Sequence, residues 1–195
     1  MKNIINIANL LSFSRVILSV PLWYSLLEIN KDSSASSINY FLILCLIIAI
    51  TDLLDGYAAR YFNSVTDLGK FLDPIADKIC ALVLILFLSI RFGWYYLSLL
   101  VLVLIRDLII SVVSVYFART KGKYLQANIF GKWFLFFIAM SMILSVVLTP
   151  DIIREQYIYL STLNSIFYTL SWTFFFLATY RYFSTYYLLF KGDNV

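Results

Sequence analysis

The chain has 195 residues, 62% of them hydrophobic and 13% charged, with a formal net charge of +4. Soluble domains carry about 25% charged residues, so the composition predicts an integral membrane protein and leaves no room for a sizeable soluble domain. Histidine is absent, which excludes Ser-His-Asp hydrolysis, HExxH zinc sites and mechanisms that need a histidine nucleophile.

Taken in chain order, the apolar stretches predict an all-α bundle of about six transmembrane helices, expected to form one domain over residues 1–195. The first span covers about 9–28, with Asn9 and Arg15 toward its beginning. Residues 1–23 have a weakly charged start and no small-residue cleavage site, so they read as a retained helix and not a removed signal peptide. Arg15 has two readings, part of a polar face at the mouth of a pocket or an interfacial anchor whose side chain snorkels to water. Residues 28–37 form a Ser-rich polar loop. The second span, about 38–60, carries Asp52, Asp55, Gly56 and Ala59 on its closing turns, where the two small residues leave a face open to a ligand. Residues 61–68 connect it to the third span, in which Gly69 reads as a turn residue and Pro74 as part of the first turn or so.

The third span continues to about Arg91, and the fourth, about 94–117, contains Arg106-Asp107 near its middle. Charges at membrane depth are costly and mark either function or an interior ion pair. The basic stretch ARTKGKYLQANIFGK leads into the fifth span, about 130–148, and Thr149-Pro150-Asp151 opens an outer loop. The sixth span, about 157–190, is long and aromatic, with Arg181 in its final third. Cys45 and Cys80 fall inside spans and read as buried thiols, not a disulfide or a metal site. Six spans put both termini on one side, together with Lys2, Arg60, Lys70, Arg119, Lys121, Lys123 and Lys191, against Lys31, Arg91 and Arg154 on the other. The positive-inside bias therefore places the termini and the acidic cluster in the cytoplasm, at a polar cavity of an inner or plasma membrane protein. The basic residues form no solvated stripe, so lipid headgroups and phosphate substrates are the expected partners and nucleic acid is not.

The stretch from Asp52 to Lys78 concentrates five Asp in an oily chain. Asp52 and Asp55 lie three apart and Asp73 and Asp77 four apart, so on two helices each pair projects from one face. If the two faces meet in a partly desolvated pocket, the carboxylates repel one another unless some protonate or cations neutralise them. Two divalent ions would balance four carboxylates, and oxygen ligands suit Mg²⁺ or Mn²⁺. Asp67 reads as a solvated loop charge.

The spacing Asp52, Asp55-Gly56, Ala59-Arg60, Gly69, Asp73, Asp77, with gaps of two, two, eight, three and three residues, resembles the complete signature of the CDP-alcohol phosphatidyltransferase family. Asn9 to Arg15 resembles the family's Pro-Asn-x-Leu-Thr-x-x-Arg opening, with Ala8 and Ser12 as departures. The resemblance implies that Asp52, Asp55, Asp73 and Asp77 hold two divalent ions on the pyrophosphate of a CDP-linked lipid. It also implies that Asp77 is the general base, and that Gly56, Arg60 and Thr66 line the cytidine pocket. The wording of residues 69–78 looks like the family's phosphatidylglycerophosphate synthases, which join CDP-diacylglycerol to glycerol 3-phosphate. Arg106, Lys132, Arg119 and Arg181 are then candidates for the acceptor phosphate, although Trp133 and Phe134 depart from the Lys-Thr that often follows Lys132's counterpart. Other acceptors within the family are phosphatidylglycerol, as in CDP-type cardiolipin synthases, serine and inositol phosphate, and a homodimer is implied. A reading from another class is a small cation-coupled transporter, which predicts inverted repeats and carboxylates near mid-bilayer. Here no repeat is visible, and the acids gather at helix ends beside Arg60 and Lys70.

Overall fold

A computed structural model describes the backbone of residues 7–61, 67–121 and 128–191, and within these every side chain except those of 7–9, 12, 55–61, 67–78, 118, 119, 121, 188 and 189. The described chain is helical apart from short turns, with no strand among the described residues. Its elements are α1 (Ile7–Glu28), α2 (Ala35–Tyr61), α3 (Asp67–Phe92), α4 (Trp94–Lys121), α5 (Ile129–Val147), α6 (Asp151–Gln156) and α7 (Ile158–Lys191). Helix is the expected outcome for these stretches in an apolar medium, where every backbone N–H and C=O must be satisfied within its own segment.

Three helices contain stretches long and apolar enough to cross a membrane, Ala35–Leu54, Trp94–Phe117 and Ile129–Val147. Their outer faces carry exposed Leu46, Leu53, Leu104, Leu108, Val112 and Leu135, which suits hydrocarbon better than water. In α1 and α7 the apolar residues are diluted by Ser, Thr, Tyr and Asn. Those hydroxyls are largely satisfied locally. Ser14, Ser19 and Ser25 donate to the carbonyls of Leu11, Val16 and Leu22 at 2.6–2.7 Å, so polar side chains are carried without unpaired groups.

By its backbone contacts the chain divides into two compact units. One comprises Met1–Phe92 with Val146–Gln156, the other Gly93–Ser145 with Tyr157–Val195. In the first, α1 packs against both α2 and α3. Buried Arg15, Ser19, Leu22 and Leu26 of α1, with Ile29 just beyond its end, recur at intervals of four, three, four and three residues and draw one stripe along the helix, with buried Ser25 beside it. Buried Ile38, Phe41 and Leu44 of α2 and Ile85 and Leu88 of α3 complete this core.

Several boundaries differ from the sequence expectation. The polar loop after α1 is shorter, because its side chains build a tight turn. Asn30 accepts from the Asp32 amide at 2.9 Å, and Ser33 accepts from the Asn30 amide at 2.8 Å while donating to the Glu28 carbonyl at 3.0 Å. The outer loop after α5 contains the short helix α6, whose Asp151 amide donates to the Lys31 carbonyl at 3.0 Å and whose Arg154 pairs with Asp151 at 2.5 Å. Helix α3 begins at Asp67, so Asp67 opens a helix, Gly69 lies inside it, and Pro74 sits beyond the first turn. The missing N–H at Pro74 leaves the Lys70 carbonyl without its helical donor. The turn into α4 falls instead at Gly93, whose φ of +67° is one that glycine adopts freely.

In the second unit α4, α5 and α7 are joined by a neutral polar network. The Tyr96 hydroxyl hydrogen-bonds the Ser145 hydroxyl, Asn164 donates from Nδ2 to Ser145 at 2.9 Å, and Ser141 donates to Asn164 Oδ1 at 2.8 Å. Farther along the same helices, Phe117 stacks on Tyr186, whose hydroxyl reaches Ser114 and the Ile110 carbonyl, each at 3.3 Å. Cys45 and Cys80 are free thiols, the second buried. Asn164 is the hub of the network, so Asn164→Ala is expected to cost about 1 kcal/mol, in the range of an interhelical hydrogen bond in a membrane. Ser141→Ala should cost less because Tyr96, Ser145 and Asn164 remain joined. The check is the midpoint of unfolding by SDS for each purified variant.

Candidate active site

Helix α2 delivers Asp52 to the site by the same periodicity that buries its core. Ile38, Phe41, Cys45, Ile48 and Asp52 recur at intervals of three and four residues, and burial thins along this row from Phe41 to Asp52, whose side chain is 52% exposed. Opposite it, Arg15 ends the buried stripe of α1 and is itself only 1% exposed. Its guanidinium Nη1 donates to Asp52 Oδ1 at 2.5 Å. The structure therefore decides between the two readings of Arg15: it points inward onto a motif carboxylate and does not snorkel. The signal available in sequence was the continuation of the stripe from Ile29 back through Ser19 to Arg15.

The backbone of Arg15 also meets α3. The Cys80 thiol donates to the Arg15 carbonyl at 3.6 Å. Counting back along the continuous helix, Asp77 lies three residues before Cys80 and Asp73 seven before it, all on one stripe of α3. Arg15 is thus the residue of α1 at which the two motif-bearing helices are both engaged, α2 through a side chain and α3 through a thiol one turn from the second acidic pair.

The remaining predicted positions divide by what is described. The backbones of Asp55, Gly56 and Arg60 are in α2 and those of Asp73 and Asp77 in α3, while their side chains lie outside the described residues. Thr66 lies outside them altogether, and Arg119 is described only as backbone in α4. All four motif positions are Asp, whose carboxylates are the kind of ligand a hard cation takes. Asp52 and Asp55 fall one turn apart along α2, Asp73 and Asp77 one turn apart along α3, and Asp52 is anchored by Oδ1 with half its side chain open.

In the second unit Arg106 is an interior cation. Its Nε and Nη2 both donate to Asp107 Oδ1, at 3.1 and 2.9 Å. The guanidinium carbon lies 5.1 Å from the Phe134 ring centroid and 5.3 Å from that of Phe175, within cation–π reach. Nη1 is buried and has no hydrogen-bond partner among the described residues. Lys132, on the first turn of α5, and Arg181, on α7, are exposed. Phe134, noted as a departure from the family's wording, is one of the rings that hold Arg106.

Asn128 was not singled out in the sequence. It caps α5, its Oδ1 accepting from the Phe130 amide at 3.0 Å, and ties this end to α7 by donating from Nδ2 to the Ala178 carbonyl and from its amide to the Tyr182 hydroxyl, both at 3.2 Å. An Asn immediately before an apolar periodic run is a recognisable helix start, and it sets the position of Lys132 four residues on.

A helical membrane-type protein with a paired-aspartate signature at the ends of successive helices is thereby defined, and comparison with known proteins agrees. Residues 5–177 match the model of the CDP-alcohol phosphatidyltransferase family, and the chain belongs to this family of phosphotransferase enzymes. Among individual relatives, one from Aquifex aeolicus is 35% identical over 140 residues, a match covering 71% of this chain and 74% of that protein. One from Mycoplasma genitalium is 34% identical over 65% of this chain and 58% of its own length, and one from Bacillus subtilis is 32% identical over 60% of each. All three are named CDP-diacylglycerol--glycerol-3-phosphate 3-phosphatidyltransferase.

Removing the Asn128 side chain takes away a cap and one interhelical bond. Asn128→Ala is therefore expected to cost about 1–2 kcal/mol, and Asn128→Asp, which keeps the capping oxygen but not the Nδ2 donor, roughly half as much. Thermal unfolding of the purified variants followed by tryptophan fluorescence measures the difference.

Proposed function

We infer that the chain transfers the phosphatidyl group of CDP-diacylglycerol to a hydroxyl of glycerol 3-phosphate, forming phosphatidylglycerophosphate and releasing CMP. The observation that carries this reading is the acidic signature on α2 and α3, with Asp52 held at the mouth of the first unit's core by Arg15. The acceptor is supported by the names of the relatives and by the buried, unengaged Nη1 of Arg106, a donor suited to a phosphate oxygen.

Asp52, Asp55, Asp73 and Asp77 are the residues that would hold two divalent ions, Mg²⁺ or Mn²⁺. Bound there, such ions offset the charge of the pyrophosphate and of the departing CMP. Gly56, Arg60 and Thr66 line the nucleotide pocket. Asp77 takes the proton of the acceptor hydroxyl, and the freed oxygen attacks the lipid-side phosphorus. The bond from that phosphorus to the CMP oxygen breaks as the new ester bond forms, and CMP leaves with the electron pair. Arg106 orients the acceptor phosphate, with Lys132, Arg181 and Arg119 supplying further positive charge.

The same reading gives one catalytic domain over residues 1–195, six spans with both termini and the acidic cluster in the cytoplasm, and a homodimer in the membrane. Helix α7 has 34 residues, about 50 Å at 1.5 Å per residue, enough to cross a hydrocarbon core of about 30 Å and extend beyond it. The orientation follows from the excess of Lys and Arg that the order of spans assigns to the side of the termini.

The purified protein should release CMP from CDP-diacylglycerol in the presence of Mg²⁺ or Mn²⁺ when glycerol 3-phosphate is supplied. Release driven only by phosphatidylglycerol, serine or inositol phosphate would refute the acceptor, and none with any of them would refute the transferase reading. Asp77→Asn should abolish turnover while CDP-diacylglycerol binding remains, and an unchanged kcat would remove its role as base. Arg106→Gln should raise KM for glycerol 3-phosphate by about tenfold or more, the cost of losing a hydrogen bond to a charged group, while KM for CDP-diacylglycerol stays within about twofold.

A further inference from the structure

We propose that Arg15 is a built-in counter-cation of the acidic site. It shares the Asp52 carboxylate with any bound cation and opposes cation loading until an anionic nucleotide is present, so that metal and substrate bind together. This rests on the assignment of the acidic cluster as a divalent-cation site. Three observations carry it. Arg15 is 1% exposed, so its charge is not screened by bulk water as a surface arginine's would be. Its Nη1 engages Asp52 Oδ1 at 2.5 Å, so a cation on the same carboxylate would lie within a few ångströms of the guanidinium. The backbone of Arg15 is in turn placed against α3 by the Cys80 thiol on its carbonyl, so the guanidinium starts from a position packed between the two motif-bearing helices.

The electrostatic consequence follows from formal charges. Four carboxylates and two divalent ions cancel; adding Arg15 leaves the loaded site positive by one. A cation added to the substrate-free site is thus repelled by a like charge at short range in a medium of reduced dielectric. A bound pyrophosphate, with its own negative charge, relieves that repulsion. Arg15 makes no contact with the reacting atoms in this scheme. It is a positioning residue that acts through Asp52, and its effect is a coupling between two ligands, each of which tightens the other reciprocally.

The test uses the full-length protein in detergent micelles, with Mn²⁺ binding followed by electron paramagnetic resonance, with and without saturating CDP. Arg15→Gln and Arg15→Met, the second close to the volume of arginine's apolar stem, should bind Mn²⁺ about tenfold more tightly than the unaltered protein when CDP is absent, a typical size for coupling between sites. With CDP present the difference should shrink to within about threefold, and Arg15→Lys, which keeps the charge, should follow the unaltered protein throughout. Equal or weaker Mn²⁺ binding by the neutral variants overturns the proposal, as does an Arg15→Lys variant that behaves like them. Neutral variants that remain aggregated even when purified in saturating Mn²⁺ also overturn it, because a bound cation should replace the missing charge. The control separates this idea from the one beneath it. Saturable Mn²⁺ binding that is lost in Asp52→Asn but indifferent to Arg15 sinks the counter-cation alone, whereas absence of Mn²⁺ binding, or binding undisturbed by Asp52→Asn, sinks the metal site and the counter-cation together.

Discussion

A charge taken out of water must meet an opposite charge or a set of dipoles, and in this protein that constraint is expressed most sharply where Arg15 meets Asp52. The two partners do not depend on each other equally. Asp52 is half open to water, whereas Arg15 is enclosed, so the arginine's charge must be met by groups of the protein. Arg15 ends the buried stripe of α1, so the packing that assembles α1, α2 and α3 also determines where the first motif carboxylate stands. Fold and site share this residue, and a change at Asp52 alters a helix junction as well as a ligand.

The second unit meets the same constraint with different chemistry. At one level of α4, α5 and α7 the solution is neutral, a chain of hydroxyl and amide groups through Tyr96, Ser145, Asn164 and Ser141. At another it is ionic and aromatic, with Arg106 bridging to its own neighbour Asp107 and resting against Phe134 and Phe175. Adjacent residues on a helix project about 100° apart, so an arginine that pairs with the next residue is drawn sideways along the helix surface. That geometry commits Nε and Nη2 and leaves Nη1 uncommitted. A mid-helix ion pair and a binding role, which stand as alternatives on sequence grounds, do not compete for the same nitrogens here, since Asp107 engages Nε and Nη2 and not Nη1.

Family membership connects these features to chemistry. Phosphoryl-type transfer asks little covalent work of a protein and a great deal of charge placement, and this chain places charge almost entirely with Asp, Arg and Lys, having no histidine at all. The acids gather at the closing turns of α2 and the opening turns of α3, beyond the apolar stretch Ala35–Leu54 or at its very end.

Much of the architecture was legible from residue order. Apolar run lengths located the six long helices to within a few residues, because in hydrocarbon a long apolar segment has helix as its available structure. The spacing of Asp52, Asp55, Asp73 and Asp77 placed each pair on one helix face, and its resemblance to the family's signature agrees with the family match over residues 5–177. Less legible were the helix starts at Ala35 and Asp67 and the short helix α6, each set by local hydrogen bonding and not by hydropathy. What only the tertiary structure decided was partnership: that Arg15 turns inward to Asp52, that Cys80 meets the Arg15 carbonyl, that Phe134 backs Arg106, and that Asn128 fastens α5 to α7. Periodicity says which face of a helix a residue occupies, but the choice of neighbour on that face depends on how separate helices are brought together, and that is information no single stretch of sequence contains.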